Sequence, residues 1–314
     1  MIFNFMNDHI KAYPVEKMAK ILGVSRAGYY KYVSQKQSTT KTKNKELLAK
    51  IKTISFKSRC TYGSPRIHAE LKKQGESCSR QRIARIMRHH GIQSKIRKKW
   101  KAAGKTNKDQ FRVAPNLLNQ NFNIATQNTV WVMDITYVAT KEGWLYVSTV
   151  LDLYSRKIVG LSISNSPDTE LILQSLRQAV THRKPARGLV LHSDRGCQYT
   201  SEAYSKYAVE NGFKLSMSAK GNCYDNAAME TFFHTLKTEH VFFCTYYTRQ
   251  EAMASIFEYI EVFYNRQRLH SALNYMSPVE FEAYNQNRVF EFNYDMSRLK
   301  LARPAMEVIS EVRI

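Results

Sequence analysis

The sequence predicts an α/β protein. It has a mixed five-stranded sheet with flanking helices, preceded by small all-α units of helix-turn-helix type. Three observations carry this. From Thr129 onward, short apolar runs of strand type alternate with helical patterns. Before that point the apolar residues recur only at helical spacing. The charge is divided in the same way: residues 1–120 hold 28 Lys and Arg against 6 Asp and Glu, whereas residues 121–314 hold 20 of each. The whole formal excess of +22 therefore lies in the first part of the chain. That is the pattern of a nucleic-acid-binding arm attached to a neutral partner domain.

Taken in order, Val15, Met18, Ala19 and Leu22 mark a helix that Gly23 stops, and Ser25 caps a second helix carrying Arg26, Tyr29, Tyr30 and Lys31. This outlines a helix-turn-helix over residues 1–40, whose second helix would present Arg26 to DNA. Residues 34–43 read as a polar linker. Residues 41–94 form a second helical unit. Its first helix runs from Asn44 to Lys57, its second is capped by Ser64 and opened by Pro65, and its third is capped by Ser79. The third helix places Ile83, Ile86 and Met87 on one face and Arg80, Arg82, Arg85 and Arg88 around the rest. Residues 95–128 are a linker. Its part 95–108 holds seven basic residues and no acid, Lys98 and Lys99 among them, and would lie along a phosphate backbone.

The expected core spans 129–285, with a C-terminal tail at 286–314. Strands are predicted at Val130–Thr140, Trp144–Leu153, Lys157–Ser164, Gly188–Ser193 and Lys214–Met217. The first two are joined by a Lys-Glu-Gly turn. Helices follow the third, fourth and fifth strands, and a further one covers 249–265. This order matches the ribonuclease-H-like fold.

Three carboxylates stand out. Asp134 interrupts an apolar strand, Asp194 ends one, and Glu230 lies on a helix, with thirty-five residues between it and Asp194. An ionised carboxylate among apolar residues is costly unless it is paired or bound to metal. With the first and fourth strands as neighbours, Asp134 and Asp194 converge and Glu230 reaches them from its helix. Oxygen-only ligands suit Mg²⁺ or Mn²⁺, and two such ions about 4 Å apart activate an attacking hydroxyl and stabilise a leaving oxygen. His234 and Lys237 follow Glu230 on the same helical face, placing Lys237 to hold a phosphate. His192 shares the sheet face of Asp194 and reads equally well as a substrate contact or as a packed histidine. Asp152, Asp168 and Asp225 are explained by turn capping or helix starts.

No apolar run approaches the roughly 18 residues of a membrane span. The N-terminus lacks a signal-peptide pattern, and the five cysteines contain no C-x-x-C pair. A cytoplasmic, nucleoid-associated protein is expected.

The segments Trp-Val-Met-Asp-Ile-Thr-Tyr (131–137), His-Ser-Asp-Arg-Gly-Cys-Gln-Tyr-Thr-Ser (192–201) and Gly-Asn-Cys-Tyr-Asp-Asn-Ala-Ala-Met-Glu-Thr-Phe-Phe (221–233) resemble the insertion-sequence-three family of bacterial transposases, in its OrfB product. Tyr-Gly-Ser-Pro-Arg-Ile (62–67) and Tyr-Asn-Arg-Gln-Arg-Leu-His (264–270) are similar to that family as well. The resemblance implies an aspartate, aspartate, glutamate triad at Asp134, Asp194 and Glu230, with Lys237 as the basic residue seven positions on. It implies magnesium-dependent DNA strand cleavage and transfer, with water and then a DNA 3′-hydroxyl as nucleophiles. The partners implied are insertion-sequence ends, target DNA, further copies of the chain, and an OrfA subunit or fusion, because no heptad zipper precedes residue 44. A DNA-binding regulator or inactive remnant, and a purely hydrolytic nuclease of the same fold, are the alternative readings.

Overall fold

The computed structural model describes residues 2–34, 39–95, 113–219 and 223–287. Lys98, Lys99, Gly221, Asn222 and the tail beyond residue 287 lie outside the described residues. The chain divides into two compact units, Met1–Ser94 and Lys95–Ile314.

The first unit is all helical. Helices α1 (Ile2–Asp8), α2 (Val15–Ile21) and α3 (Arg26–Ser34) enclose a small core of Met6, Met18, Ala19 and Tyr29. Helix α1 was not expected from the sequence, because seven residues with one buried side chain give too little periodicity to read. The Ser25 hydroxyl accepts from the Gly28 amide at the start of α3. Helices α4 (Thr39–Lys57), α5 (Ser64–Lys73) and α6 (Arg80–His89) pack on one another. They bury Leu47, Ile51, Ile54, Ile67, Leu71 and Ile83. Helix α4 begins inside the stretch expected to be a linker. Lys and Thr are adequate helix residues once the downstream apolar face is anchored. Gly63, not Ser64, is the N-cap of α5, and Ser79 caps α6 by accepting from the Arg82 amide.

The second unit is built on one sheet with strand order β3-β2-β1-β4-β5. Its strands are β1 (Val130–Thr140), β2 (Gly143–Asp152), β3 (Lys157–Ser164), β4 (Val190–Ser193) and β5 (Lys214–Met217). The first three pair antiparallel, while β4 pairs parallel to β1 and β5 to β4. This is the mixed, helix-flanked sheet that the sequence predicts. The hairpin differs in detail. Gly143 is in β2 and pairs with Thr140, so the turn has two residues. Gly143 has φ +113°, the left-handed region that favours glycine.

One sheet face carries Trp131, Met133 and Val150 beneath α7 (Thr169–Arg183), whose Ile172, Leu173 and Leu176 complete the main core. Gly160 of β3 lets α7 approach closely, since a Cβ there would stand 2.1 Å from the Ser175 carbonyl oxygen. Helix α8 (Glu202–Glu210) is capped by Ser201 and packs on β5. Helices α9 (Ala227–Glu239) and α10 (Arg249–Glu258) pack against β1. The helix expected over 249–265 changes to π-helical geometry at Tyr259–Tyr264. The chain then brings the Asn265 side-chain amide against β3, where it pairs with both the N–H and the carbonyl of Ile158 at 3.0 Å. A helix at residues 278–287 follows. Its Glu282 binds Arg183, Lys157 and Ser155, and Arg183 also reaches the buried Asp152.

Candidate active site

Strand β4 pairs with β1 only as far as Val132, opposite His192. The next residues on the same sheet face are Asp134 and Asp194, two positions on in each strand. Neighbouring strands run about 4.8 Å apart, so the parallel register itself sets these two carboxylates side by side where β4 ends. Asp134 is half-buried in mid-strand. Asp194 has just left β4, and its Oδ1 accepts from the Gly196 amide at 2.9 Å. Arg195 fixes the same turn by donating to the Ser218 carbonyl at 2.7 Å.

Glu230 lies in the first turn of α9 and is exposed. The helix is held by Met229, Phe232, Phe233 and Leu236, all buried, with Phe232 edge-on to Tyr264 at 4.8 Å. The expectation that Asp225 caps this helix is corrected: Asn226 holds the N-cap position. Asp225 is buried and accepts from the Ala219 amide at 2.8 Å and from Gln120 at 3.1 Å, tying the loop before α9 to the sheet edge.

The three carboxylates act on one another electrostatically. Burial pushes the Asp134 carboxyl well above the usual range, the negative charges of Asp194 and Glu230 push it further, and the Ile135 amide and Lys237 oppose the rise. Burial also raises Asp194, against the Gly196 hydrogen bond, and raises Glu230. Lys237 is half-buried; burial lowers its pKa and Asp134 partly restores it. Its Nζ stands 4.7 Å over the Tyr137 ring on β1. The site thus has an excess of negative charge that one lysine does not balance. That deficit, with oxygen-only donors, fits a hard divalent cation. Among the described residues, no three His, Cys, Asp or Glu side chains form a ready-made metal cage. Lysine and divalent metal would both act on the same half-buried aspartate.

Other sequence candidates fall differently. His192 shares the face of Asp194 but is fully buried between β4 and β5, bonded to the Ser216 and Ser218 hydroxyls at 2.8 and 3.2 Å. Burial pushes its imidazole down to about 4, against the influence of Asp225. Its neighbours in the sheet cover it, which supports the packed reading of this histidine over substrate contact. His234 is exposed on α9. In the first unit Arg80 and Arg85 are exposed, and Arg85 lines a cleft with Asn44, Lys45, Leu48, Ile86, His89 and His90. Arg26 is exposed and pairs with Glu16 at 3.2 Å. Arg82 is half-buried, and its guanidinium grips the Asn44 side-chain oxygen at 2.9 and 2.7 Å, tying α6 to α4.

The sequence reading missed two residues. Thr149 lies directly across β2 from Asp134, and its buried hydroxyl has no hydrogen-bond partner among the described residues. Tyr199 is buried, and burial plus the charges of Asp134 and Asp194 raises its phenol far above the usual range. A two-residue turn read at Lys141-Glu142 would have set Thr149 opposite Asp134.

The sequence is 43% identical over 270 residues to an insertion element IS600 31 kDa protein of Shigella sonnei, covering 86% of this chain and 99% of that protein. It is 35% identical over 287 residues to transposase InsF for insertion sequence IS3A of Escherichia coli, covering 91% of this chain and 99% of that protein. The chain belongs to the insertion-sequence-three family of transposases. Residues 125–223 and 230–287 of this family member match integrase core domain families, and residues 42–100 match an HTH-like domain. Membership makes it a DDE-type polynucleotidyl transferase of DNA transposition and recombination. Among solved structures, the HTLV-2 integrase catalytic core domain in complex with magnesium aligns at TM-score 0.39 and 12% identity, over 50% of this transposase and 97% of that chain. A chain of the simian T-cell lymphotropic virus intasome complex aligns at TM-score 0.43 and 13% identity, over 84% and 78%. The family assignment rests on the sequence relatives.

Proposed function

We propose that Asp134, Asp194 and Glu230 hold two divalent ions, magnesium or manganese, and that this site cuts insertion-sequence ends and joins them to target DNA. Such ions, when bound, polarise the scissile phosphodiester and lower the pKa of the attacking oxygen. In cleavage a water oxygen bonds to phosphorus and the bond to the 3′-oxygen breaks, leaving a 3′-hydroxyl and a 5′-phosphate. In transfer that 3′-oxygen bonds to a target phosphorus, and the target's own 3′-oxygen leaves.

The chain's part is positioning. The β1–β4 register sets two carboxylates side by side. Gly196 fixes one oxygen of Asp194 and leaves the other for a ligand. Helix α9 brings Glu230 from the solvent side, where DNA has to enter. Lys237 takes a neighbouring phosphate, and Arg80 and Arg85 bind DNA outside the reacting bonds, as do Arg26, Lys98 and Lys99. Further copies of the chain, and an OrfA subunit or fusion, complete the working assembly on two DNA ends.

The observation that carries this reading is the parallel β1–β4 register, which brings Asp134 and Asp194 to the same face where β4 ends. It is tested with labelled end DNA and Mg²⁺, scoring nicked and joined products. Asp134→Asn, Asp194→Asn and Glu230→Gln should each lose both products while retaining DNA binding. Near-normal joining by any one of them would remove that residue from the triad. Nicked product without joining would identify a hydrolytic nuclease.

A further inference from the structure

We propose that Tyr137 and Trp144 form a stacking platform for unpaired bases of the DNA end, a subsite that rests on the active-site reading above. Strand β4 stops pairing opposite Val132, but β1 continues to Thr140 against β2. The β1–β2 hairpin therefore projects beyond the carboxylates. Its backbone is braced from outside: the Lys141 amide donates to the Tyr246 carbonyl at 3.0 Å, and Glu142 accepts from the Arg249 amide at 2.7 Å. The tight turn of Lys141 and Glu142 leaves little freedom, so whatever this hairpin displays is held rigidly.

It displays two aromatic rings. Tyr137 pairs with Tyr146 and Ala139 with Trp144, so Tyr137 and Trp144 are diagonal neighbours on one face. Their centroids are 5.1 Å apart at 88°, edge to face, and they are 38% and 51% exposed. An edge-to-face pair cannot use up the flat faces of both rings. Trp131, on the same face deeper in the sheet, is fully buried under α7. The exposure at Tyr137 and Trp144 is thus a local feature and not a property of the whole sheet face.

The surroundings favour nucleic acid over a second protein surface. Lys237 stands over the Tyr137 ring, Lys141 is exposed at the turn, and Arg249 reaches the hairpin, its Nη2 2.9 Å from where a Gly143 Cβ would be. Tyr137 is three residues along β1 from Asp134, so the two side chains leave opposite sheet faces, and Lys237, over the Tyr137 ring and within the field of Asp134, is their common neighbour. A duplex hides its base faces, so these rings can take only bases from an end whose terminal pairs have opened. Bases freed there recover stacking on exposed rings, and every base has a face to offer.

The test uses the full chain carrying Trp100→Phe, in EDTA so that binding is read without reaction. Trp131 is buried, which leaves Trp144 as the exposed reporter. Oligothymidylate should quench the fluorescence, and an abasic oligonucleotide of equal length and charge should quench it far less. Trp144→Ala should bind end DNA with a frayed terminus roughly tenfold more weakly. It should bind the fully paired end with unchanged affinity, and Trp144→Phe should recover part of the loss. Equal quenching by the abasic strand would overturn the proposal. So would equal loss on frayed and paired ends, or a changed oligomeric state with unchanged oligothymidylate affinity, which would assign the rings to a protein interface. None of these readings depends on metal chemistry, so failure of the carboxylate assignment would show separately, as joining by Asp134→Asn.

Discussion

Arg268 grips Glu239 with two parallel hydrogen bonds, Nη2 to Oε1 and Nε to Oε2, each 2.7 Å long. Glu239 is the last residue of the helix that carries Glu230, and the Tyr259 hydroxyl donates to it at 3.1 Å. Both charges are nearly out of water, with side-chain exposures of 6% and 12%. Burial alone would lower the Arg268 pKa, but the bonds and charge of Glu239 outweigh it and raise it. Arg268→Ala should therefore cost about 3–5 kcal/mol, because it strips the guanidinium from a buried carboxylate. Arg268→Lys should cost less, since it keeps the charge and loses the fork. Urea unfolding measures both. Joining should fall more than DNA binding, because the anchor of α9 sits at the opposite end from Glu230. An unchanged unfolding midpoint in Arg268→Ala would reduce the pair to a surface contact.

His192 gives a pH prediction. Its folded pKa is lowered to about 4, below the unfolded value of about 6.5. The unfolded chain takes up the proton first. The stability that neutral His192 contributes is complete above about pH 6.5 and is lost as pH falls toward 4, by at most about 3 kcal/mol. Unfolding free energy measured from pH 7.5 to 4.5 should fall more steeply in the wild type than in His192→Asn. Parallel curves would mean that this imidazole titrates normally.

The sheet was legible because its signals are local. Strands β1, β3 and β5 have the bounds that alternation and turn residues predict, and Asp134 and Asp194 stand out as charges in apolar runs. What the sequence could not show depends on distance along the chain. His192 has the parity of Asp194, but only the pairing of β4 with β5 reveals that Ser216 and Ser218 cover it. Arg82 belongs to an arginine-rich helix, yet its partner Asn44 lies thirty-eight residues away. The π-helical turn at Tyr259–Tyr264 has the same apolar content as an α-helix, so periodicity alone did not expose it. Thr149 required the hairpin register, which shifts with the assignment of a single glycine.

The helical unit Met1–Ser94 carries twenty Lys and Arg against five Asp and Glu, and it has its own buried clusters. As a fragment it should fold and bind duplex DNA, with affinity falling steeply as salt rises. Arg80→Ala and Arg85→Ala should each lower the salt slope by about one unit if each neutralises one phosphate. Arg82→Ala should act differently, lowering the unfolding midpoint through the lost Asn44 contact. Slopes unchanged in all three variants would move the DNA-binding surface off α6.

Lys237 is placed to choose between two partners. Seven residues make nearly two helical turns, so it shares the α9 face of Glu230. Its ammonium lies over Tyr137 and within the field of Asp134. A divalent ion held by the carboxylates would take over the neutralisation of Asp134 and would free the lysine to meet DNA. Lys237→Ala should lower the salt slope of end-DNA binding by about one unit, the loss of a single phosphate contact. It should leave divalent-metal affinity equal or higher, because a cation no longer competes at Asp134. Lys237→Glu should weaken both, since a fourth carboxylate repels DNA and adds to the negative excess that already raises Asp134. Metal titration followed in parallel with end-DNA binding across a salt series separates these effects. Unchanged DNA affinity and slope in Lys237→Ala would leave the lysine as a packing partner of Tyr137 alone.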